Sequence, residues 1–324
     1  MTDPGRGELY RPGRPLRRLM GPVFGVACFL ATLAGVVILA VLLGSIVVSA
    51  LGLEHREALG RPPVAGWRHP GVMARELFEY LRGLATRTQS TEPNKDGYRG
   101  GIVGSLWLLG LVALMAIPVG VGAAVFLEEY APPGWLKKVI QINIANLAGV
   151  PSVVYGLLGL AAFRDAFGWG RLALGPTLWA GGLTLSLLVL PIVVIASQEA
   201  LRTVPNSLRR AALALGATRW QVVRDHVLPA AVPGIMTGTI LSLSRAIGET
   251  APLILVGAAM SLLVVPRGPG DPYSALPVEI YNDAKEPGEA FQSVAAGGIL
   301  ILMALLMTMN AAAILIRNRS ARPR

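Results

Sequence analysis

Long stretches without a single charged side chain constrain this sequence more than any other feature. Met20–Leu53, Gly100–Leu127, Val139–Phe163, Leu172–Gln198 and Phe291–Ile316 are such stretches, with charges only at or beyond their ends. About 20 apolar residues of α-helix cross a hydrocarbon core roughly 30 Å thick, and every one of these stretches exceeds that length. A chain of 324 residues cannot bury five such helices in a water-soluble core, so lipid is their expected solvent. Composition agrees: 15% of residues are charged, against about 25% in soluble domains. A sixth stretch, Leu228–Val265, runs for 38 residues and contains two charges, Arg245 and Glu249. At about 1.5 Å of rise per residue it is nearly twice one span. It is either two spans, or one span followed by a broken or re-entrant piece. The expected fold class is an all-α integral membrane protein of about six transmembrane helices.

The formal charge of +10 would suit a nucleic-acid partner, but its placement argues for a membrane. With six spans and the N-terminus inside, the inner segments are 1–20, 128–138, 199–227 and 317–324. They hold 16 Lys/Arg against 6 Asp/Glu, whereas the outer segments 54–99, 164–171 and 266–290 hold 12 of each. The whole basic excess lies on one side, as cytoplasmic loops require. Seven spans would disturb that balance, so six are expected, with both termini cytoplasmic. The first apolar stretch is too long for a cleavable signal and reads as a retained helix. The organisation is then a basic cytoplasmic arm at 1–20, a first transmembrane helix at 21–53, an extracytoplasmic loop at 54–99, a core domain at 100–316 and a cytoplasmic tail at 317–324. Within the outer loop, Val72–Leu84 has helical spacing.

The single cysteine, Cys28, cannot form an internal disulfide. His55, His69 and His226 are scattered without metal-ligand spacing. Neither a metal nor a catalytic residue is expected. Pro118, Pro151 and Pro191 fall inside the second, third and fourth expected spans. Each frees a backbone carbonyl and bends its helix, either as ordinary bundle geometry or to shape a path. Gly234 and Gly238 form a small-xxx-small pair suited to close helix packing.

The inner segment Glu199–Pro229 is ordered beyond what a connector needs. Pro205 interrupts it, and Asn206 or Ser207 can cap a new helix. Leu208, Ala211, Ala212 and Leu215 then share a narrow apolar face. Gly216 suits a left-handed helix end, Thr218 can cap a second short helix carrying Trp220, Val223 and Val227, and Pro229 marks entry to the membrane. A surface helix on lipid headgroups is one reading. The alanine-rich face suits close docking to another protein better. The segment resembles the EAA loop of ABC-importer permeases: Glu-Ala-Ala, three residues, Gly, nine residues, Ile, one residue, Leu-Pro. Here these positions are Arg210-Ala211-Ala212, Gly216, His226 and Leu228-Pro229. Two positions depart, Arg210 for Glu and His226 for Ile. The resemblance implies that Arg210, Ala211, Ala212, Gly216, Leu228 and Pro229 couple the chain to a separate ATP-hydrolysing subunit. The sequence itself has no G-x-x-x-x-G-K-[ST] loop, so ATP-Mg is expected on that partner and no cofactor on this chain.

A charge near the centre of a bilayer costs roughly 2.5–3.5 kcal/mol or more unless paired or hydrated. Arg245 and Glu249, four residues apart, can meet on one helix face. They are either a structural ion pair or part of a path in which Arg245 meets an anion, since its planar fork fits oxyanions. The surrounding Arg245-Ala-Ile-Gly-Glu-Thr-Ala-Pro-Leu253 resembles the signature of phosphate-importer permeases, specifically the A-type (PstA-like) subunit. Gly100-Gly-Ile-Val-Gly-Ser105, Leu127-Glu-Glu-Tyr-Ala131, Asn146-Leu-Ala-Gly-Val-Pro-Ser152 and Leu276-Pro-Val-Glu-Ile-Tyr281 extend it over roughly residues 99–319. The resemblance implies a type I ABC-importer permease bundle in the bacterial inner membrane, with Arg245 and Glu249 in the substrate pathway. It also implies as partners a C-type second permease, an ATPase dimer and an extracytoplasmic phosphate-binding protein. Another oxyanion, sulfate or molybdate, would fit the loop equally well. A secondary transporter would instead show repeated halves and no docking loop.

Overall fold

The structure is a computed structural model that describes residues 15–51, 70–93, 95–165, 173–258 and 265–320. Residues 1–14 of the basic arm, 54–69 of the outer loop with His55 and His69, 259–264 of the extra piece and 321–324 of the tail lie outside these. Among the described residues there are helices and one isolated bridge, Thr177–Pro272, but no strand. Contacts divide the chain at Val48/Ser49. The first unit is essentially α1 (Pro15–Leu51), whose portion Val23–Leu51 has a mean hydropathy of 2.9.

The second unit contains α2 (Pro70–Thr86), α3 (Arg99–Val125), α4 (Trp135–Ala148), α5 (Ser152–Gly159), α6 (Leu178–Arg202), α7 (Asn206–Ala214), α8 (Arg219–Val222), α9 (Leu228–Gly248), α10 (Ala251–Val256), α11 (Leu276–Lys285) and α12 (Glu289–Ser320). Its central layer is α6, packed between α3 and α9. Sequence spacing explains how the helices approach. A side chain at Gly234 would meet the Ala200 Cβ at 2.8 Å, and one at Gly238 would run into Ala196. The small pair of α9 therefore lies against a matching small pair of α6, one turn apart on each helix. Leu108, Leu111, Val112, Leu185, Val189 and Val193 fill the α3–α6 seam and are buried.

Among the described residues five helices are long and apolar enough to cross a membrane, and a bent pair makes a sixth if counted as one span. That pair corrects the expected third span. Instead of a kinked helix, α4 and α5 meet at 98° around Gly149–Pro151. Pro151 offers no N–H to continue the α4 ladder, and the last carbonyls of α4 are met by Gly149 and Val150. The Tyr155 hydroxyl donates to Leu147 O at 2.9 Å and braces the corner.

The double-length stretch also resolves into one span and a break. α9 ends at Gly248, and α10 has six residues, too few to cross. The second short helix expected from Thr218 onward forms, but it is not separate from the span that follows. From Arg219 to Gly248 the helix is continuous, because a wider π-type turn over Val223–Val227 carries it past Pro229. There the Leu228 N–H bonds Val223 O, one residue further back than in an α-helix.

Candidate functional site

Three groups of polar side chains stand out against this apolar frame. The first is the inner loop between α6 and α9. Gly216 has φ +86, the left-handed conformation that glycine adopts without strain. Thr218 and Gln221 form a reciprocal capping box: the Thr218 hydroxyl accepts from the Gln221 N–H, and the Gln221 side chain accepts from the Thr218 N–H at 2.8 Å. At the start of α7 the expectation fails. Pro205, not Asn206 or Ser207, occupies the cap position, and the Asn206 side chain accepts from Arg209 instead. Of the first helix's apolar face only Ala212 is buried, and Leu215 is 88% exposed; of the second, Val223 and Val227 are buried and Trp220 is 58% exposed. Val222, Val223 and Val227 hold the loop against α6 and α9. The loop is thus anchored by valines and presents Leu208, Leu213, Leu215 and Trp220 outward. Arg210 and Ala211 are exposed beside them, and Leu228 and Pro229 lead into the membrane helix.

The second group is Arg245 with Glu249. The Arg245 Nε donates to Glu249 Oε1 at 3.3 Å. Glu249 lies one residue beyond the end of α9, with extended backbone, rather than on the helix itself. The break after Gly248 leaves it close enough to pair and only 18% exposed, whereas the Arg245 side chain is 54% exposed. Thr237, Leu241 and Arg245 recur every four residues on the exposed face of α9. Ser242 and Ala246 face the packed side. Beside Arg245, the Ser244 hydroxyl meets Asn310 Oδ1 of α12 at 2.6 Å.

The third group was not singled out as a site. Leu276–Tyr281, in the sequence only a matching block, opens α11, which buries two carboxyl groups, Glu279 and Asp283. Both Glu279 oxygens are buried without a hydrogen-bond partner; Ser274 and the Gly101 amide lie beside them without completing a bond. Burial pushes the Glu279 pKa up to about 8. Burial also raises Asp283, to about 7, against the opposing pull of the Tyr98 hydroxyl, which donates to it at 2.5 Å. Asp96 is raised as well, by burial, although its Oδ1 accepts from the Ser90 and Gly97 amides. The available signal was charge within α11: acidic residues in a helix next to a span, with Glu279 and Asp283 four apart.

The family described as binding-protein-dependent transport system inner membrane component matches residues 116–321. The phosphate transport system permease protein PstA 1 of Mycobacterium tuberculosis is 38% identical over 259 residues, covering 78% of this chain and 82% of that one. A probable ABC transporter permease protein of Bacillus subtilis, YqgH, is 34% identical over 81% of this chain and 77% of its own. Among solved structures, a bacterial ABC transporter involved in the import of the acidic polysaccharide alginate superposes with a TM-score of 0.61. It shares 17% identity, covering 94% of this chain and all of that one. The last likeness concerns the fold: an importer-permease helical bundle.

Proposed function

This chain belongs to the family of binding-protein-dependent transport system inner membrane components, and from that we propose that it is a permease subunit of an ATP-driven importer that moves inorganic phosphate across the cytoplasmic membrane. The observation that carries the reading is Arg245. It stands in a membrane helix, on the face that this chain's own bundle leaves exposed, and meets one carboxylate. Such a charge is too costly to leave against lipid. A second permease subunit facing this stripe would enclose it in a polar path.

In that path Arg245 attracts the anion and orients it through its planar fork. Glu249 neutralises Arg245 between passages. Near neutral pH phosphate keeps a proton, so Glu249 can accept a hydrogen bond from it, while sulfate offers none. The outward apolar residues of the inner loop form the dock for an ATP-binding subunit dimer, which supplies ATP-Mg. The second permease is of the C type, and an extracytoplasmic phosphate-binding protein delivers the substrate. Both termini of this chain lie in the cytoplasm. The relatives named as phosphate permeases support the substrate.

The test is uptake by the reconstituted complex with sulfate and molybdate as competitors. Phosphate should enter, and neither competitor should reduce its uptake substantially. Arg245→Ala should abolish uptake with assembly intact. Recovery of uptake in Arg245→Ala/Glu249→Ala would make the pair a structural bridge and overturn its place in the pathway.

A further inference from the structure

The block Leu127-Glu-Glu-Tyr-Ala131 has no part in the pathway or in the dock, yet its two acids join the dock to the membrane helices. α3 ends in a π-type turn, Phe126–Tyr130, closed by the Ala131 N–H on Phe126 O at 2.8 Å. Its Glu128 and Glu129 reach different elements. Glu128 accepts from Arg202 Nη2 at 2.8 Å, at the end of α6. Glu129 accepts from Arg209 of α7 at 2.8 Å through Nη2, with Nε at 3.3 Å from the same oxygen.

Arg209 is saturated. Nη1 donates to Val204 O at 2.6 Å and to Asn206 Oδ1 at 3.1 Å, and Nη2 donates also to Leu201 O at 2.9 Å. Every N–H of the guanidinium therefore has an acceptor. Leu201 O lies in the last turn of α6 and Val204 O just beyond it, where carbonyls have no partner within the helix. One side chain thus fastens the start of α7, the end of α6 and the end of α3. The pair is sheltered, Arg209 being 19% and Glu129 10% exposed. Beneath it Ala124, Leu127, Leu201, Val204 and Ala212 pack as one apolar cluster.

We propose that Glu129 and Arg209 are positioning residues that make the docking helix α7 move as one body with the adjoining ends of α3 and α6, so that displacement of the dock becomes displacement of the membrane helices. This rests on the reading of the inner loop as an ATPase dock. A valine-packed loop held by apolar contact alone could slide; a planar guanidinium with five directed bonds fixes both distance and orientation. Lysine keeps the charge but has three donors on one nitrogen and cannot span the same acceptors. The geometry therefore distinguishes a mechanical role, which Arg209→Lys breaks, from simple charge neutralisation, which it preserves.

The experiment uses the assembled importer in proteoliposomes and reads three quantities: co-purification of the ATPase, ATP hydrolysis and phosphate uptake. For Arg209→Lys and Glu129→Ala the complex should assemble and hydrolyse ATP within about twofold of the parent, while phosphate moved per ATP falls at least tenfold. The exchange Glu129→Arg/Arg209→Glu should recover less than half of that ratio, because a carboxylate at position 209 has no N–H to hold the α6 carbonyls. Unchanged phosphate per ATP in Arg209→Lys would overturn the proposal. So would loss of assembly in both single variants, which would make the pair a folding element only. If the parent complex itself hydrolyses ATP but imports another anion, the substrate reading fails, and the clamp is judged by that anion per ATP.

Discussion

The two ends of the bundle shelter carboxylates in opposite ways. At the end that carries the inner loop, Glu128 and Glu129 each meet an arginine at 2.8 Å. At the other end Glu279 and Asp283 face other acids, with Asp96 near both and Glu286 near Asp283. Their relief comes from hydrogen, not from cations: the Tyr98 hydroxyl on Asp283, and a retained proton on Glu279. The inner pairs hold their geometry by charge. In the outer pair, burial raises both pKa values and favours the protonated form. The contrast suits the position of each. On the proposed coupling role, the inner end needs directed, permanent bonds. The outer end must pack α11 on α3 and α12, where Gly101 and Gly298 leave room for Glu279 and for the Tyr98 ring.

The sharpest way to break the contrast is to remove the inner cation. Arg209→Ala strands Glu129 in a sheltered site, takes a donor from Val204 O and leaves Leu201 O with the Val204 N–H at 3.3 Å. Unpairing a fully buried ion costs about 3–5 kcal/mol; this pair is sheltered rather than fully buried, so denaturant unfolding of the purified chain in detergent should register a loss up to that order. A loss under about 1 kcal/mol would put this pair in the class of surface bridges.

At the outer end the corresponding neutral change should have the opposite sign. Burial raises the pKa of Glu279 to about 8 and of Asp283 to about 7, so the folded chain holds protons that the unfolded chain has released. Stability should fall as pH rises from about 4, the unfolded range, through these values, and level off above them. Glu279→Gln keeps the shape without the proton. It should gain on the order of 1–3 kcal/mol at pH 8 and flatten the pH profile of unfolding. Glu129→Gln, by contrast, should lose stability, because it leaves Arg209 without its anion. Equal pH profiles for the parent and Glu279→Gln would show that Glu279 is ionised and compensated.

Tyr98→Phe refines the same point. It removes donation to Asp283 and to Val294 O, at a cost of about 1–1.5 kcal/mol. Because that hydroxyl favours the ionised carboxylate, the remaining Asp283 should titrate higher still, moving the lower of the two steps in the pH profile upward. The smallest effect is expected from salt. Arg202 is 47% exposed, and screening at about 0.5 M salt should weaken its bridge to Glu128 by under about 1 kcal/mol. The outer carboxyl pair, buried and with no cation paired to it among the described residues, should respond less.

The spans were legible because a charge-free helix needs no partner to declare itself: Met20–Leu53 and Gly100–Leu127 follow α1 and α3 closely, α1 beginning only a few residues earlier. The left-handed Gly216 and the Thr218 cap were legible for a similar reason, since both depend on neighbours within four residues. The right angle at Pro151 was not. Proline announces a bend, but its size depends on what α5 packs against, and α5 lies on α10, far along the chain. Glu129 and Arg209 stand 80 positions apart, and Tyr98 and Asp283 stand 185 apart. No local pattern names such partners.

Sequence by itself therefore determined that this chain lives in lipid, which of its segments gather the basic residues, and which loop folds as helix, glycine and helix. Those follow from solvent transfer and from contacts within a turn or two of helix. Only the tertiary structure decided which acids keep a cation and which keep a proton. That choice depends on what a fold brings within about 3 Å of a carboxylate, and the chain order does not carry it.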